Sequence, residues 1–273
     1  LRNWTDITIK GTTTSLTNFV VPVRISEARM RGFYYSDADS SRLVFVDEFG
    51  NLLPYDVDTW DESGESVVWL KLPTLPTEGI TVKMYWNLRD GQIAPANTPT
   101  DVWSDYVGVW HMTDANDSAV GASTGRIGNR TTSVDGILGG ALSASQTGEP
   151  LILATASDAV NAVTGGAFTV SFYTKYNSTT HGTPAQYLFS RRSRLEDAGY
   201  ALCINGGLTS SATQFIECFG EASGRYTITD ASAMTRSGSD KWVRNDVVYT
   251  PNVFYWYING EKLLWTRNMT AGF

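Results

Sequence analysis

The chain has 273 residues, 42% of them hydrophobic and 12% aromatic, which is enough apolar material for one large core or two ordinary ones and excludes a disordered polypeptide. A formal net charge of -7 leaves no extended basic face to track a phosphate backbone, so nucleic acid is not an expected partner. No apolar run approaches the roughly 20 residues of a membrane-crossing helix, so this segment is not expected to insert into a bilayer, and its abundance of Thr, Ser, Asn and Gly with 18% charged residues suits an extracytoplasmic β protein.

Trp4, Ile7 and Ile9 form the first strand pattern, a turn-like stretch follows at 11–15, and 19–25 is an apolar run whose Pro22 points to an edge strand or a bulge. The runs 42–46 and 52–57 flank Gly50-Asn51 and predict a hairpin. Runs 67–72 and 80–86 follow, separated by Pro73, Pro76 and Gly79. Short strands with turn signals between them, and helical character only at 26–31, predict an all-β sandwich. Asp56 and Asp58 are two apart and share a strand face, but no compact Asp/Asn/Gly loop surrounds them, so the acidic residues from Asp37 to Glu62 read as a solvated face rather than a cation site.

In order, the blocks WTDITIKGT, LTNFVVPVRI, RLVFVDEFGNLLPYDVDTWDE, VVWLKLPTLP and VKMYWN resemble a prokaryotic extracytoplasmic domain of unknown function (family 2341). Such domains often precede a laminin-G-like jelly roll and also occur with MotA/TolQ/ExbB-type channel segments. The resemblance covers about residues 1–100. It implies an N-terminal β-sandwich domain over 1–89 and a secreted, cell-surface or periplasmic location, but no chemistry.

The stretch DGQIAPANTPT at 90–100 has no periodic apolar positions and predicts a linker, which we extend over 90–103 to Trp103. Residues 106–112 are then expected to form the first strand of a second sandwich, with Trp110 anchored in its core. Asp114, Asn116 and Asp117 in the following loop offer oxygen ligands for calcium at the sandwich rim, against the simpler reading of a solvated turn.

Further strands are predicted at 151–154, 168–175, 187–190, 200–205, 215–219, 226–229 and 242–249, with a helical turn at 157–163. Cys203 and Cys218 lie in neighbouring strand-like runs. Alternation places both sulfurs on one side, either as a disulfide or as two buried thiols in a reducing compartment. The clearest hairpin joins 253–258 to 261–265 through Asn259-Gly260, a pair suited to the positive φ angles of a type I′ turn. It puts Phe254, Trp256 and Ile258 on one face and Tyr255 with Tyr257 on the other, where the two tyrosines are candidate ligand-binding residues.

The blocks YVGVWHMTDANDS, GGALSAS, FTVSFYTKY, YLFSRRS, YALCING, VVYT and YWYINGEKL resemble, in order, a laminin-G-like, concanavalin-A-like jelly roll. The resemblance implies a second domain over 104–273. Such folds continue past the YINGEKL hairpin with closing strands, so the domain is expected to be incomplete at its C-terminus and completed by the rest of a longer chain or by neighbouring subunits.

No catalytic residue is assigned. Glu217 and Glu221 stand four strand positions apart, roughly 13 Å, against the roughly 5 Å of a retaining glycosidase pair. His111 and His181 lack metal-ligand spacing, and there is neither a GxSxG elbow nor a phosphate loop. The expectation is a non-catalytic extracytoplasmic module that recognises glycan or protein, with calcium the one cofactor considered. The alternatives are a structural module of an envelope or filament assembly and an accessory fragment of a glycan-degrading enzyme.

Overall fold

The alternating runs of the first hundred residues pair into two antiparallel sheets that share one core. The computed structural model describes residues 3–87, 99–119, 123, 125–128, 131–144, 152–153, 167–175, 186–191, 199–205, 213–219, 225–230, 241–250, 253–262 and 267–268, with backbone alone for 144, for the strands between 186 and 230, and for 254 and 267–268. Two compact units divide the chain, Leu1–Val160 and Asn161–Phe273. The fold is all-β, and every strand pair among the described residues is antiparallel.

The first unit begins with β1 (Asn3–Ile9), β2 (Leu16–Ile25), β3 (Val44–Val46), β4 (Tyr55–Thr59), β5 (Ser66–Leu75) and β6 (Ile80–Trp86). One sheet has the order β1-β6-β3 and the other β2-β5-β4. Their inward positions, among them Val23, Ile25, Phe45, Tyr55, Leu70, Val82, Met84 and Trp86, form a single buried cluster. Alternation accounts for it: along β5, Val68, Leu70 and Leu72 are buried and inward, while Trp69 and Lys71 point out. Pro22 lies on β2, an edge strand of its sheet among the described strands, where its missing N–H breaks no ladder bond.

The hairpin predicted around Gly50-Asn51 is corrected in part. The turn is present, with Gly50 at a φ of 85° and Val46 bridged to Leu52. However, the strands on either side separate, β3 pairing with β6 and β4 with β5, because the core needs apolar residues from this region in both sheets.

The same unit continues with the single helical turn α1 (Pro99–Val102) and the hairpin β7 (Thr131–Asp135) to β8 (Gly140–Ala144). Val102, Trp103 and Ala119 are buried with Val20 in a second small cluster on the outer side of sheet β2-β5-β4. Residues after the predicted linker therefore pack on the N-terminal sandwich. The strand expected at 106–112 is absent, and this stretch runs as turns and irregular backbone.

The second unit contains β9 (Phe168–Thr174), β10 (Gln186–Arg191), β11 (Gly199–Asn205), β12 (Thr213–Phe219), β13 (Arg225–Asp230), β14 (Val243–Thr250), β15 (Val253–Ile258), β16 (Glu261–Lys262) and β17 (Arg267–Asn268). β10 to β13 form a sequential meander. A second sheet has the order β16-β15-β14-β9, with β17 also on β15. Asn259 and Gly260 take φ angles of 50° and 81°, as the predicted I′ turn requires.

The cysteines are not cross-strand partners, contrary to expectation. Cys203 stands opposite Phe215, and Cys218 opposite Tyr200. This offset of three positions, about 10 Å along the strand, exceeds what a disulfide spans. Alternation fixes which face a residue takes within its own strand and not the offset between strands, so it could not set this register. The helical turn at 157–163, His181 and Glu221 lie outside the described residues. No helix among the described residues is long and apolar enough to cross a membrane.

Candidate functional site

Two features outside the cores concentrate chemistry, one in each unit. In the first unit, alternation along β4 sends Tyr55 and Val57 into the core and leaves Asp56 and Asp58 outward. A register shift between Val57 and Thr59 adds one residue against β5, and bulges of this kind re-aim side chains. Thr59 Oγ1 donates to Asp58 Oδ1 at 3.0 Å.

His111 enters between these two carboxylates. Its Nε2 lies 2.8 Å from Asp56 Oδ2 and its Nδ1 3.0 Å from Asp58 Oδ2. The side chains of Asp56, Asp58 and His111 are 7%, 2% and 13% exposed. Two indoles complete the cluster: Trp103 Nε1 donates to Asp56 Oδ2 at 2.7 Å, and Trp69 Nε1 donates to Asp58 Oδ2 at 2.8 Å. The imidazole stacks on Trp69, with centroids 6.3 Å apart and an interplanar angle of 21°, and tilts against Trp103.

Burial disfavours a charged imidazole, but hydrogen bonds to Asp56 and Asp58, and then their charges, outweigh it and push the His111 pKa up to about 9. Burial likewise opposes ionisation of Asp56, while bonds from His111 and Trp103 hold it below the usual carboxylate range. At neutral pH His111 is an imidazolium held between the two carboxyl groups. Each ring nitrogen serves a different carboxylate, so neither has a lone pair for a metal ion or for general-base work. Among the described residues, no group of three or more His, Cys, Asp and Glu is arranged to hold a metal ion. What this cluster does is clamp the 99–119 segment to the sheet, aided by Lys71, whose Nζ donates to Ser104 Oγ at 2.6 Å and pairs with Asp105 at 2.8 Å.

The carboxylates predicted as calcium ligands accept hydrogen bonds from neighbouring backbone and side-chain amides. Asp117 Oδ1 accepts from the backbone N–H groups of Val109 at 2.8 Å and Ala119 at 2.9 Å, and Oδ2 accepts from that of Ser123 at 3.0 Å. Asp117 thus satisfies the Val109 N–H, a donor in the 106–112 stretch that a strand would have paired with a neighbour. Asp114 accepts from the backbone and side-chain amides of Asn116, making an exposed turn. Trp110, expected in a core, is half-buried and its indole N–H has no partner.

In the second unit, sheet β16-β15-β14-β9 has two unlike faces. Val243, Asn245 and Val247 of β14 and Trp256 and Ile258 of β15 are buried on one. The register places Tyr255 opposite Val248, Tyr257 opposite Asp246, and Tyr173 of β9 opposite Arg244, all on the other face. Tyr255 and Tyr257 are half-buried, and Tyr173 is 41% exposed. Asp246 Oδ1 accepts from Ser171 Oγ at 2.6 Å and lies 2.9 Å from Arg244 Nη2. Lys262 Nζ sits 3.9 Å above the Tyr255 ring, and Lys175 Nζ 6.0 Å from the centre of the Trp242 ring. Sequence reasoning found the two tyrosines of β15 and missed Tyr173, although alternation through FTVSFYT already sets it apart from Phe168, Val170 and Phe172.

No protein-family model and no curated protein matches the chain. One solved structure, the binding domain of Botulinum neurotoxin DC in complex with rat synaptotagmin II, is similar at 13% identity with a TM-score of 0.37. The match covers 57% of this chain and 37% of that one, so the chain spans well under half the length of that protein. Similarity at this level assigns neither fold family nor ligand.

Proposed function

We propose that the chain is a non-catalytic, extracytoplasmic recognition module: an N-terminal sandwich of the type named for residues 1–89, followed by a laminin-G-like sandwich that meets its ligand on the outward face of β9, β14 and β15. One observation carries this reading. The strands bury Val247, Trp256 and Ile258 on one side and present Tyr173, Tyr255 and Tyr257 together on the other. Tyrosine rings offer a flat apolar surface with a hydroxyl at the rim, which suits the face of a sugar ring. The His111 cluster supports the non-catalytic part, since its nitrogens are both engaged in structure.

The test is a glycan array probed with the chain and with the Tyr255→Ala/Tyr257→Ala double variant. The reading predicts a defined set of bound glycans that the double variant loses while its far-UV circular dichroism is unchanged. Absence of glycan binding, with self-association of the chain in solution, would replace it with the structural-module alternative.

A further inference from the structure

The charges on the tyrosine face specify its ligand more narrowly, given the recognition reading above. Among the described residues of that face, the charged side chains are Lys175, Arg244, Asp246 and Lys262. Glu261, opposite Ile258, belongs to the other face by register. Asp246 is compensated twice, by the Arg244 guanidinium and by the Ser171 hydroxyl, so it projects little negative charge. The two lysines rest over aromatic rings, Lys262 over Tyr255 and Lys175 over Trp242. The face therefore carries a cationic excess on a chain whose net charge is -7.

This placement bears on which sugars fit. A neutral sugar that stacked on Tyr255 would have to displace the Lys262 ammonium and give up its cation-π contact, gaining no charge partner in return. A sugar with a carboxylate or sulfate would draw the ammonium to its rim, keep an ion pair and free the ring for stacking. Because the rest of the molecule is acidic, the same excess would orient an anionic chain toward this face rather than elsewhere.

We propose that the outward face of β9, β14 and β15 is a binding site for anionic polysaccharide, with the tyrosines stacking on sugar rings and Lys175 and Lys262 meeting the acidic groups.

The experiment measures binding of the whole chain to polygalacturonate, dextran sulfate and dextran by isothermal titration at low and high salt. Expected is binding of at least one polyanion roughly tenfold or more tighter than dextran, weakening as salt rises. The carboxylated and sulfated polymers show which acidic group is recognised. Lys262→Gln and Lys175→Gln, each at an exposed position, should weaken polyanion binding several-fold, while Tyr255→Ala should remove it. If dextran and the polyanions bind equally, with Tyr255 still required, the charge inference is overturned and the recognition face survives. If no polysaccharide binds and the array is also empty, both are overturned. Salt-sensitive polyanion binding that is unchanged in all three variants would place the site elsewhere and overturn the inference.

Discussion

Oδ2 of Asp56 accepts a 2.8 Å hydrogen bond from Nε2 of His111, although the two residues lie 55 positions apart. The same oxygen accepts the Trp103 indole N–H, so one buried atom ties both ends of the 103–111 segment to β4. Removing the cation should be costly, since two neighbouring buried carboxylates would lose the charge between them. His111→Leu is expected to lower stability by about 3 to 5 kcal/mol, read from urea unfolding followed by tryptophan fluorescence. Changing His111 to Leu together with Asp56→Asn and Asp58→Asn, a triple variant that keeps oxygen acceptors for the Trp103 and Trp69 indoles, should cost less than the single change. A single-variant loss no larger than that of the triple would refute the clamp.

The pH response follows from the same geometry. His111 has a folded-state pKa of about 9 against an ordinary 6.5. Its contribution is therefore fully present below about 6.5 and is lost as pH rises through 9. By linkage the gap corresponds to roughly 3 kcal/mol. Asp56 has the opposite sign: its pKa lies below 3.8, so its contribution is present above that value and falls away in acid. Stability of the first unit should be greatest between about pH 4 and 6.5 and decline toward pH 10, and His111→Leu should flatten the alkaline limb. NMR titration of the His111 ring gives the pKa directly, and a midpoint near 6.5 would contradict the ion cluster.

Gly139, between β7 and β8, tests the bulge on β4. Its φ is 64°, and a Cβ there would stand 2.5 Å from both Asp58 Oδ1 and Thr59 Oγ1. Arg24 holds the same turn through the Ile137 carbonyl at 2.6 Å while pairing with Glu65. Gly139→Ala combines a left-handed backbone penalty with displacement of the Asp58 carboxylate, so a loss of about 2 kcal/mol is expected. It should also lower the His111 pKa, whereas Gly50→Ala, at a φ of 85° with open space around it, should cost backbone strain alone.

How much of this was legible depended on the distance over which a residue's role is decided. Alternation in LTNFVVPVRI and VVWLKLPTLP gives the inward faces of β2 and β5, and Asn259-Gly260 gives a turn, because those signals act within a few positions. Asp56 and Asp58 could be placed on one face, but nothing local in YDVDT shows that the face is covered. That information sits in Trp103 and His111, and the apolar run YVGVW reads equally well as a strand or as residues laid across another sheet. Asp117 favours the second by accepting the Val109 N–H that a β partner would have taken. The cysteine register failed for a related reason: alternation fixes the face within one strand, whereas the offset between strands is set by the turn.

The faces of the second unit give a prediction that also tests their register. Trp256 is 1% exposed, and its indole N–H donates to Asn245 Oδ1 at 3.3 Å. The Asn245 amide donates in turn to Thr174 Oγ1 at 3.0 Å and to the Val243 carbonyl at 3.4 Å, so this fully buried amide satisfies three neighbours. Trp256→Ala should destabilise the chain by about 3 to 5 kcal/mol by cavity formation. Asn245→Ala should cost about 1 to 3 kcal/mol because it strands the Trp256 donor. Tyr257→Ala, one position away on the open face, should cost under about 1 kcal/mol. A slip of one residue in the β14–β15 register would exchange the two faces and reverse this order. Thermal unfolding of the three variants therefore separates the arrangement described from its nearest competitor, and equal losses at Trp256 and Tyr257 would show that both faces of the sheet are covered.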